Sequence, residues 1–391
     1  MENEDIAYQA GDILVGKYRV DHVLGIGGFG AVLAATHIQL EERVAIKILL
    51  PHAAKNPAAS ERFLREARAA VRIRSEHVAR VTDVGQLPDT TPYMVMEYLA
   101  GQDLSAQVKA QGGQSVSDVA EWILQACEAL AEAHSLGIIH RDLKPANLFL
   151  TRKFDGAPCV KVLDFGISKM SNELGGDKGM TKTSDVMGSP FYMSPEQMRS
   201  TRSVDARSDI WALGAILFEL LAGAPPFDAE TMTALVVSIM QEAPRNLSEY
   251  RRDVPQQMYE IIMCCLQKDP NKRYPDVASL AIALAPFAPQ RSQQNLQRVM
   301  MISGRQSVTS GVPSSGPTVV SAPGGVAPTA PGVTNSGMTN QGGMTMEGAP
   351  ASALFRQEHS SGNPPAVGHI SGGHISGGAI SSQRPSHPVT Q

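Results

Sequence analysis

Cysteine is scarce in this chain of 391 residues, which contains four: Cys127, Cys159, Cys264 and Cys265. They form no C-x-x-C pair and no Cys/His spacing of the kind that holds zinc, and they are too few for a disulfide framework. We therefore expect reduced thiols in the core. The acidic N-terminus is followed by no apolar segment of a secretory signal, which leads us to expect a cytoplasmic protein.

The chain also lacks long apolar runs and an excess of positive charge. No run reaches the roughly 18 apolar residues that a membrane-spanning helix needs, so we expect no membrane insertion. Lysine and arginine number 34 against 38 aspartates and glutamates, which gives a net charge of -4. A chain without a positive field has no long-range attraction for nucleic acid, and we expect none to bind.

Charged residues are nearly absent from the C-terminal part of the chain. Residues 301–391 contain five charged side chains but 16 glycines and 10 prolines. Such a segment does not bury enough apolar surface to offset the entropy lost on ordering. We predict an N-terminal extension at 1–16, a folded domain at 17–289 and a disordered tail rich in Gly, Pro and Ser at 290–391.

The rest of the chain contains two kinds of apolar periodicity. Residues 17–50 alternate between apolar and polar types, which predicts strands, and the short apolar run 93–96 resumes this sheet-rich segment. Between them, residues 58–73 place apolar side chains at helical spacing. Residues 118–136 and 208–222 repeat at three and four residues, which predicts helices. The predicted fold class is therefore α+β, with a small β-rich part followed by a larger helical one.

A glycine-rich turn lies at Gly25–Val32, which reads G-x-G-x-x-G-x-V. A dinucleotide-binding fingerprint has the same three glycines, but it needs a helix directly after the last one. Here residues 31–36 continue as a strand, which predicts a β-hairpin whose turn lets backbone N–H groups approach a phosphate. On this motif alone, an ordinary flexible hairpin remains an equal alternative.

Lys47 lies directly after the apolar run Val44–Ile46. A lysine on the interior face of a strand is costly to bury unless an anion or a carboxylate meets its ammonium group. Glu66 is the natural partner, because Phe63 and Ala67 place it on the inward stripe of the next predicted helix. A solvated lysine and a surface glutamate are the alternative at this point.

The most specific signal is a pair of motifs in the second half of the folded part. Residues 138–147 read I-I-H-R-D-L-K-P-A-N, and residues 162–166 read V-L-D-F-G. This pair resembles the catalytic loop and the metal-binding motif of eukaryotic-type Ser/Thr protein kinases, the Hanks-type kinases of bacteria. The resemblance implies a bilobal protein-kinase fold, with a β-rich N-lobe at 17–98 and a helical C-lobe at 99–289.

The same resemblance implies the activity and the chemistry of the central residues. Asp142 would accept or orient the hydroxyl proton of the protein substrate, and Lys144 would neutralise the γ-phosphoryl group in transit. Asn147 and Asp164 would hold Mg²⁺, or Mn²⁺ in its place, because such ions prefer oxygen ligands. Lys47, oriented by Glu66, would bind the α and β phosphates of ATP. Lysine at position 144 follows the Ser/Thr pattern rather than that of tyrosine kinases, so the implied activity is that of a non-specific Ser/Thr protein kinase.

The ATP pocket implied by the resemblance draws on the glycine-rich turn, the strands and a hinge at residues 96–99. Phe149 would lie below the purine, where the family more often has leucine. The full set of expected ATP-binding residues is Gly25, Ile26, Gly27, Gly28, Phe29, Gly30, Val32, Ala45, Lys47, Glu66, Glu97, Leu99 and Phe149.

Further positions resemble the family's switch and supports. Arg141 would pair with a phosphate on the activation loop, on Thr181 or on Thr183, the second being slightly favoured. The remaining supports are an ion pair between Glu196 and Arg273 and a brace in which Asp209 accepts backbone N–H groups near His140.

Two other functions stay open on the sequence. A pseudokinase-like scaffold would recruit partners through the tail, but such proteins typically lack one of Lys47, Glu66, Asp142, Asn147 and Asp164. A kinase for small molecules would usually lack the Ser194–Glu196 segment and the Asp209 brace. We expect protein substrates, a partner bound through the C-terminal tail, and a transient dimer during autophosphorylation. The substrates and the activating signal do not follow from the sequence.

Overall fold

The N-terminal lobe is an antiparallel sheet crossed by a helix. The computed structural model describes residues 8–165, 190–199 and 204–305. Six strands form the sheet in the order β1-β2-β3-β4-β6-β5. Their bounds are β1 Ile13–Leu14, β2 Tyr18–Ile26, β3 Gly30–His37, β4 Glu42–Leu49, β5 Val81–Gln86 and β6 Pro92–Glu97, with α1 Pro51–Ala54 and α2 Pro57–Arg72 between β4 and β5.

The two faces of this sheet carry different side chains, because successive side chains along a strand point to opposite faces. Leu33 of β3 and Ile46 of β4 are buried in the apolar cluster on one face. On the other face, Val32 lies opposite Lys47 in the β3–β4 register. The helix α2 packs there through Phe63. The lysine therefore shares its face with the helix that carries Glu66.

The start of α2 is fixed by two local signals. The side chain of Asn56 accepts a hydrogen bond from the backbone N–H of Ala58, and Pro57 occupies the first helical position. Both choices are typical of helix N-termini, since an N-cap side chain satisfies an orphan donor and proline has none to satisfy. The sequence prediction of a helix at 58–73 is confirmed to within one residue.

The C-terminal lobe is helical and contains the larger core. The helices are α3 Leu104–Gln111, α4 Val116–Ser135, α5 Pro195–Arg199, α6 Arg207–Ala222, α7 Met232–Gln241, α8 Gln256–Cys265, α9 Val277–Leu284 and α10 Gln293–Ile302. Every residue of α4 from Val119 to Ala131 is buried. Likewise α6 is buried almost throughout, and it ends at Gly223, whose φ of 79° is the left-handed geometry that glycine adopts without strain.

A second small sheet carries the chain into the region between the lobes. It consists of β7 Gln102–Asp103, β8 Leu148–Arg152 and β9 Pro158–Val162, in that order. The loop before β8 contains residues 140–147, and β9 leads directly to Asp164. Because β8 and β9 are antiparallel neighbours, the sheet brings these two motifs to the same end.

The ordered part extends beyond both predicted domain boundaries. At the N-terminus, β1 (Ile13–Leu14) pairs with β2 and Leu14 is buried, so the sheet begins before the predicted boundary at residue 17. At the C-terminus, α10 follows the predicted end at 289 and buries Val299. The prediction missed this helix because its apolar residues are few and the Gly- and Pro-rich sequence begins just after it.

The remainder of the predicted tail, residues 306–391, lies outside the described residues. Within the part of the chain that the structure describes, no helix is both long enough and apolar enough to cross a membrane. The predicted disorder of residues 306–391 therefore stays a prediction from the sequence.

Candidate active site

Lys47 is held between two carboxylates from distant parts of the chain. Its Nζ atom lies 2.7 Å from Oε1 of Glu66 on α2 and 2.6 Å from Oδ1 of Asp164 after β9. The lysine side chain is 17% exposed and that of Asp164 is 48% exposed. An ammonium group thus stands at the inner end of a cleft that solvent reaches from the Asp164 side.

The electrostatics of this triad keep the lysine charged. Burial lowers the pKa of Lys47, but the carboxylates of Asp164 and Glu66 outweigh it and raise that pKa well above its usual value. For Glu66, burial raises the pKa to about 7 against the opposing effect of Lys47. Burial also tends to raise the pKa of Asp164, yet Lys47 brings it below the usual range. The site therefore presents a fixed cation beside an ionised aspartate.

The catalytic-loop residues are held by contacts within the loop. Leu143 is buried, and Pro145–Asn147 forms a single 3-10 turn. The side-chain amide of Asn147 donates to the backbone carbonyl of Asp142 at 2.7 Å. The ammonium of Lys144 lies 3.6 Å from Oδ2 of Asp142. A carboxylate, an amide oxygen and a second cation are therefore gathered within the six residues from 142 to 147.

Asp209, at the start of α6, fixes the backbone of this loop. Its carboxylate accepts the N–H groups of His140 at 2.9 Å and of Arg141 at 2.8 Å. The Nε2 atom of His134 lies 2.8 Å from the same carboxylate. Burial raises the pKa of Asp209, but its contacts with His134 dominate and keep the pKa low. These bonds hold Arg141 at a φ of 65°, which costs a non-glycine residue of order 1–3 kcal/mol.

The same brace reaches Asp164. The Nε2 atom of His140 donates to the carbonyl of Leu163 at 2.9 Å, and the ring of His140 lies 4.9 Å from that of Phe165. Asp164, which lies between Leu163 and Phe165 in the chain, has a φ of 49°. Backbone geometry of this kind persists only where neighbouring contacts over-determine it, and such strained residues cluster at functional positions.

The glycine-rich turn closes the outer side of the cleft. The backbone N–H of Gly27 donates to the carbonyl of Gly30 at 2.8 Å. A Cβ atom on Gly30 would lie 2.7 Å from the carbonyl oxygen of Ile48, so glycine is required at that position. His52 donates from Nε2 to the carbonyl of Gly28 at 3.0 Å, a contact that the sequence did not suggest. The side chain of Phe29, at the tip, is exposed.

The predicted hinge begins where β6 ends. The carboxylate of Glu97 accepts from the backbone N–H of Arg80 at 2.8 Å and from Lys161 at 2.7 Å. The sequence predicted a place in the pocket for Glu97 but indicated neither of these two side-chain contacts. Leu99 is partly exposed, and so is Phe149, which pairs with Asp103 in the β7–β8 ladder.

The site thus combines a largely buried lysine between two carboxylates with a glycine-rich hairpin and a loop braced by Asp209. The family model for the protein kinase domain matches residues 18–282. This chain belongs to the protein kinase family. The match covers both lobes and ends before α10 begins.

Relatives of this kinase domain occur in several bacteria. Serine/threonine-protein kinase Pkn1 of Myxococcus xanthus is 39% identical over 269 residues, which cover 69% of this chain and 38% of the relative. Probable serine/threonine-protein kinase PknB of Corynebacterium glutamicum is 36% identical over 279 residues, which cover 70% and 42%. The chain spans about two fifths of the length of these relatives.

A solved kinase structure has the same fold as this chain. The crystal structure of the Mycobacterium tuberculosis PknI kinase domain gives a TM-score of 0.55 at 27% identity, covering 72% of this chain and 100% of that domain. The bilobal protein-kinase fold that the sequence predicts, with a β-rich N-lobe and a helical C-lobe, is thereby confirmed.

An ion pair between Glu196 and Arg273 connects the residues that follow the activation loop, here called the end of the activation segment, to the C-lobe. The guanidinium of Arg273 is fully buried and donates to both carboxylate oxygens of Glu196, each at 2.7 Å. Ser208 donates to the same carboxylate at 2.7 Å. Burial raises the pKa of Glu196, but its bonds with Arg273 prevail and lower it. The structure thus brings together the two residues that the sequence paired.

Some predicted positions of the kinase domain lie outside the described residues. They are Gly166 of the metal-binding motif and the proposed phosphorylation sites Thr181 and Thr183.

The described residues fit the divalent ion that kinases use. Asp164 offers a carboxylate, and Asn147 offers an amide oxygen because its nitrogen is committed to the carbonyl of Asp142. Hard oxygen donors of this kind are what Mg²⁺ prefers, and Mn²⁺ accepts the same ligands.

Proposed function

We propose that this protein transfers the γ-phosphoryl group of ATP to serine and threonine hydroxyls of proteins. The observation that carries the proposal is the bonding of Lys47 to both Glu66 and Asp164 beside the loop that holds Asp142 and Asn147. All five polar groups that phosphoryl transfer needs are present, and no observation favours a scaffold that has lost the activity.

Each residue has a separate task in this reaction. Lys47, oriented by Glu66, binds the phosphates, and the glycine-rich turn brings backbone N–H groups to them. Mg²⁺, when bound to Asp164 and Asn147, neutralises phosphate charge. Asp142 orients the acceptor hydroxyl and takes its proton. Lys144 balances the charge on the group in transfer, from its position beside Asp142.

Ser/Thr specificity is supported by two facts. Lys144 follows the pattern of Ser/Thr kinases, and the relatives described above bear the name of serine/threonine-protein kinases. We also place the activity in the cytoplasm, where ATP is available, with protein substrates. The tail as a docking segment for a partner, and a transient dimer for autophosphorylation, remain parts of the same proposal.

The direct test supplies the full chain with Mg²⁺, γ-labelled ATP and an unfolded protein acceptor, followed by hydrolysis and identification of the labelled amino acids. We expect label on phosphoserine and phosphothreonine. Label on phosphotyrosine alone, or transfer only to sugar or aminoglycoside acceptors offered in parallel, would contradict the proposal.

Activation by autophosphorylation makes a second prediction. A phosphate on Thr181 or Thr183 would pair with Arg141, and a hydrogen bond to a charged group contributes about 1.5–3 kcal/mol. We therefore expect the Thr181→Ala, Thr183→Ala double variant to lose activity roughly tenfold to a hundredfold. Initial rates and the phosphate content by mass spectrometry are the measurements; full activity without any phosphate would show that this switch does not exist.

A further inference from the structure

The helix α10 lies beyond the matched kinase domain and packs on α4. Val299 is buried in the C-lobe core, and Leu296 packs against it. Arg291, just before the helix, donates to both carboxylate oxygens of Glu121 on α4 at 2.6 and 2.7 Å. After the helix, Arg305 donates to Asp276 at 2.7 Å. The helix is thus anchored at both ends.

Asn295 is the buried polar residue at the centre of this contact. Its side-chain Nδ2 atom lies 2.9 Å from Nε2 of His77 and 2.8 Å from Oε2 of Glu128. The other ring nitrogen of His77, Nδ1, donates to the carbonyl of Val160 at 2.9 Å. The ring therefore carries its proton on Nδ1 and accepts at Nε2, so both N–H groups of the Asn295 amide have an acceptor.

The neutral state of His77 agrees with this assignment. The imidazole is fully buried, and burial lowers its pKa to about 4, against the opposing effect of the Val160 carbonyl. Near neutral pH the ring thus holds one proton and offers one acceptor. Asn295 is a donor matched to that acceptor.

His77 lies in a segment that adjoins both of the elements that carry the carboxylates around Lys47. That segment, residues 73–80, connects the end of α2, which carries Glu66, to β5. Its backbone pairs with the end of β9: Val162 donates to the carbonyl of His77 at 2.8 Å, and Ala79 donates to the carbonyl of Val162 at 3.2 Å. Val162 lies two residues before Asp164. Displacement of this segment would therefore move both Glu66 and Asp164.

The segment is held from below by α4 as well. Glu132 accepts from the backbone N–H groups of Arg74 at 2.9 Å and Ser75 at 2.7 Å. Glu128 lies one turn earlier on the same face and binds Asn295. One stripe of α4 thus connects α10 with the segment between α2 and β5.

A metal site at Glu76, His77 and Glu128 is the other interpretation of this cluster, since their ligand atoms lie within 4.8 Å of one another. Two side-chain cations already balance the two carboxylates. Arg298 pairs with Glu76 and Glu128, and Lys153 lies 2.9 Å from Glu76. Both nitrogens of His77 are also engaged. The cluster is therefore neutralised by its own side chains.

We propose that Asn295 is a positioning residue for phosphoryl transfer: through His77 it fixes the segment 73–80, which follows the helix that carries Glu66 and pairs with the strand that leads to Asp164. The inference rests on the proposed kinase activity. It makes α10 part of the catalytic unit although it lies outside the matched kinase domain.

The test compares two amide-to-acid changes in the full chain. Asn295→Asp keeps the shape of the side chain but removes both donors and sets a carboxylate against Glu128. Gln297→Glu makes the same chemical change at an exposed position of the same helix. Steady-state kinetics give KM for ATP and for the protein acceptor separately, and hydrogen exchange followed by mass spectrometry reports on α2 and β9.

For Asn295→Asp we expect KM for ATP to rise roughly tenfold, the effect of losing a buried hydrogen bond of about 1.4 kcal/mol. KM for the acceptor should stay unchanged, and amides of α2 and β9 should exchange faster than in Gln297→Glu. A lower melting temperature with unchanged KM for ATP and unchanged exchange in α2 would overturn the proposal, because α10 would then only add stability.

Two further arms keep the outcome decisive. If Asn295→Asp does not fold, Arg298→Ala removes a half-exposed partner of Glu76 and Glu128, and the same shifts are expected at smaller size. Unchanged KM for ATP and unchanged α2 exchange there would overturn the proposal. If the wild type transfers no phosphate, the proposed function fails, while the exchange comparison still decides whether Asn295 positions the segment.

Discussion

Replacing Asp142 by asparagine is expected to lower kcat by about 10²–10⁴-fold, the usual effect of removing a general base. The change preserves the shape of the side chain and the backbone carbonyl that Asn147 binds at 2.7 Å. Lys47 and its two carboxylates are untouched, so KM for ATP should change little. Initial rates with labelled ATP, together with the binding of ATP to the variant, measure the two quantities separately.

The control for this variant is Asp228→Asn. Asp228 is half exposed and forms a surface pair with Arg245 at 3.1 Å, so the same chemical change there removes an interaction of about 0–1 kcal/mol and no catalytic group. Its kcat should equal that of the wild type. An Asp142→Asn protein that is as fast as this control would show that the carboxylate has no part in the transfer.

The second large effect concerns stability. Removing Arg273 leaves the carboxylate of Glu196, whose side chain is only 13% exposed, without its cation and with Ser208 as a neutral side-chain partner, and breaking a largely buried pair in this way costs about 3–5 kcal/mol. The carbonyls of Gln267 and Arg207, which Arg273 also binds, lose a donor. We expect Arg273→Met to lower the free energy of unfolding by that amount, as measured by urea denaturation near neutral pH.

Two comparisons separate the charge effect from simple loss of packing. The double variant Glu196→Gln, Arg273→Met no longer holds an unpaired charge and should recover part of the loss. Arg245→Met breaks only the surface pair with Asp228 and should cost less than about 1 kcal/mol. A loss for Arg273→Met no larger than that of Arg245→Met would refute the view that this ion pair ties the activation segment to the C-lobe.

Much of the site was predictable from the sequence because each motif is local. The glycine-rich turn, the strand that carries Lys47 and the catalytic loop are each contained in about ten residues, and their periodicity shows which face they share. The cost of burying a lysine suggested the pairing of Lys47 with Glu66, which the family resemblance also implies, and the resemblance alone supplied the pairing of Glu196 with Arg273. The structure brings each of these pairs within 2.7 Å.

The contacts that the sequence did not reveal join residues with no local signal. Glu97 and Lys161 meet because β6 and β9 approach one another, and neither residue stands in a motif that predicts the other. The bond between Asn295 and His77 spans 218 positions of the chain. Its short helix also lies next to Gly- and Pro-rich sequence, so that composition indicated a tail where the chain in fact forms part of the folded unit.

The measurement that tests the central claim most directly is a crystal structure of the protein with Mg²⁺ and a non-hydrolysable ATP analogue. We predict that Nζ of Lys47 contacts the α and β phosphates while remaining bonded to Glu66, that oxygens of Asp164 and Asn147 bind the metal, and that Asp142 faces the γ phosphate. A nucleotide bound with its phosphates away from Lys47, or a metal held by other residues, would contradict the account.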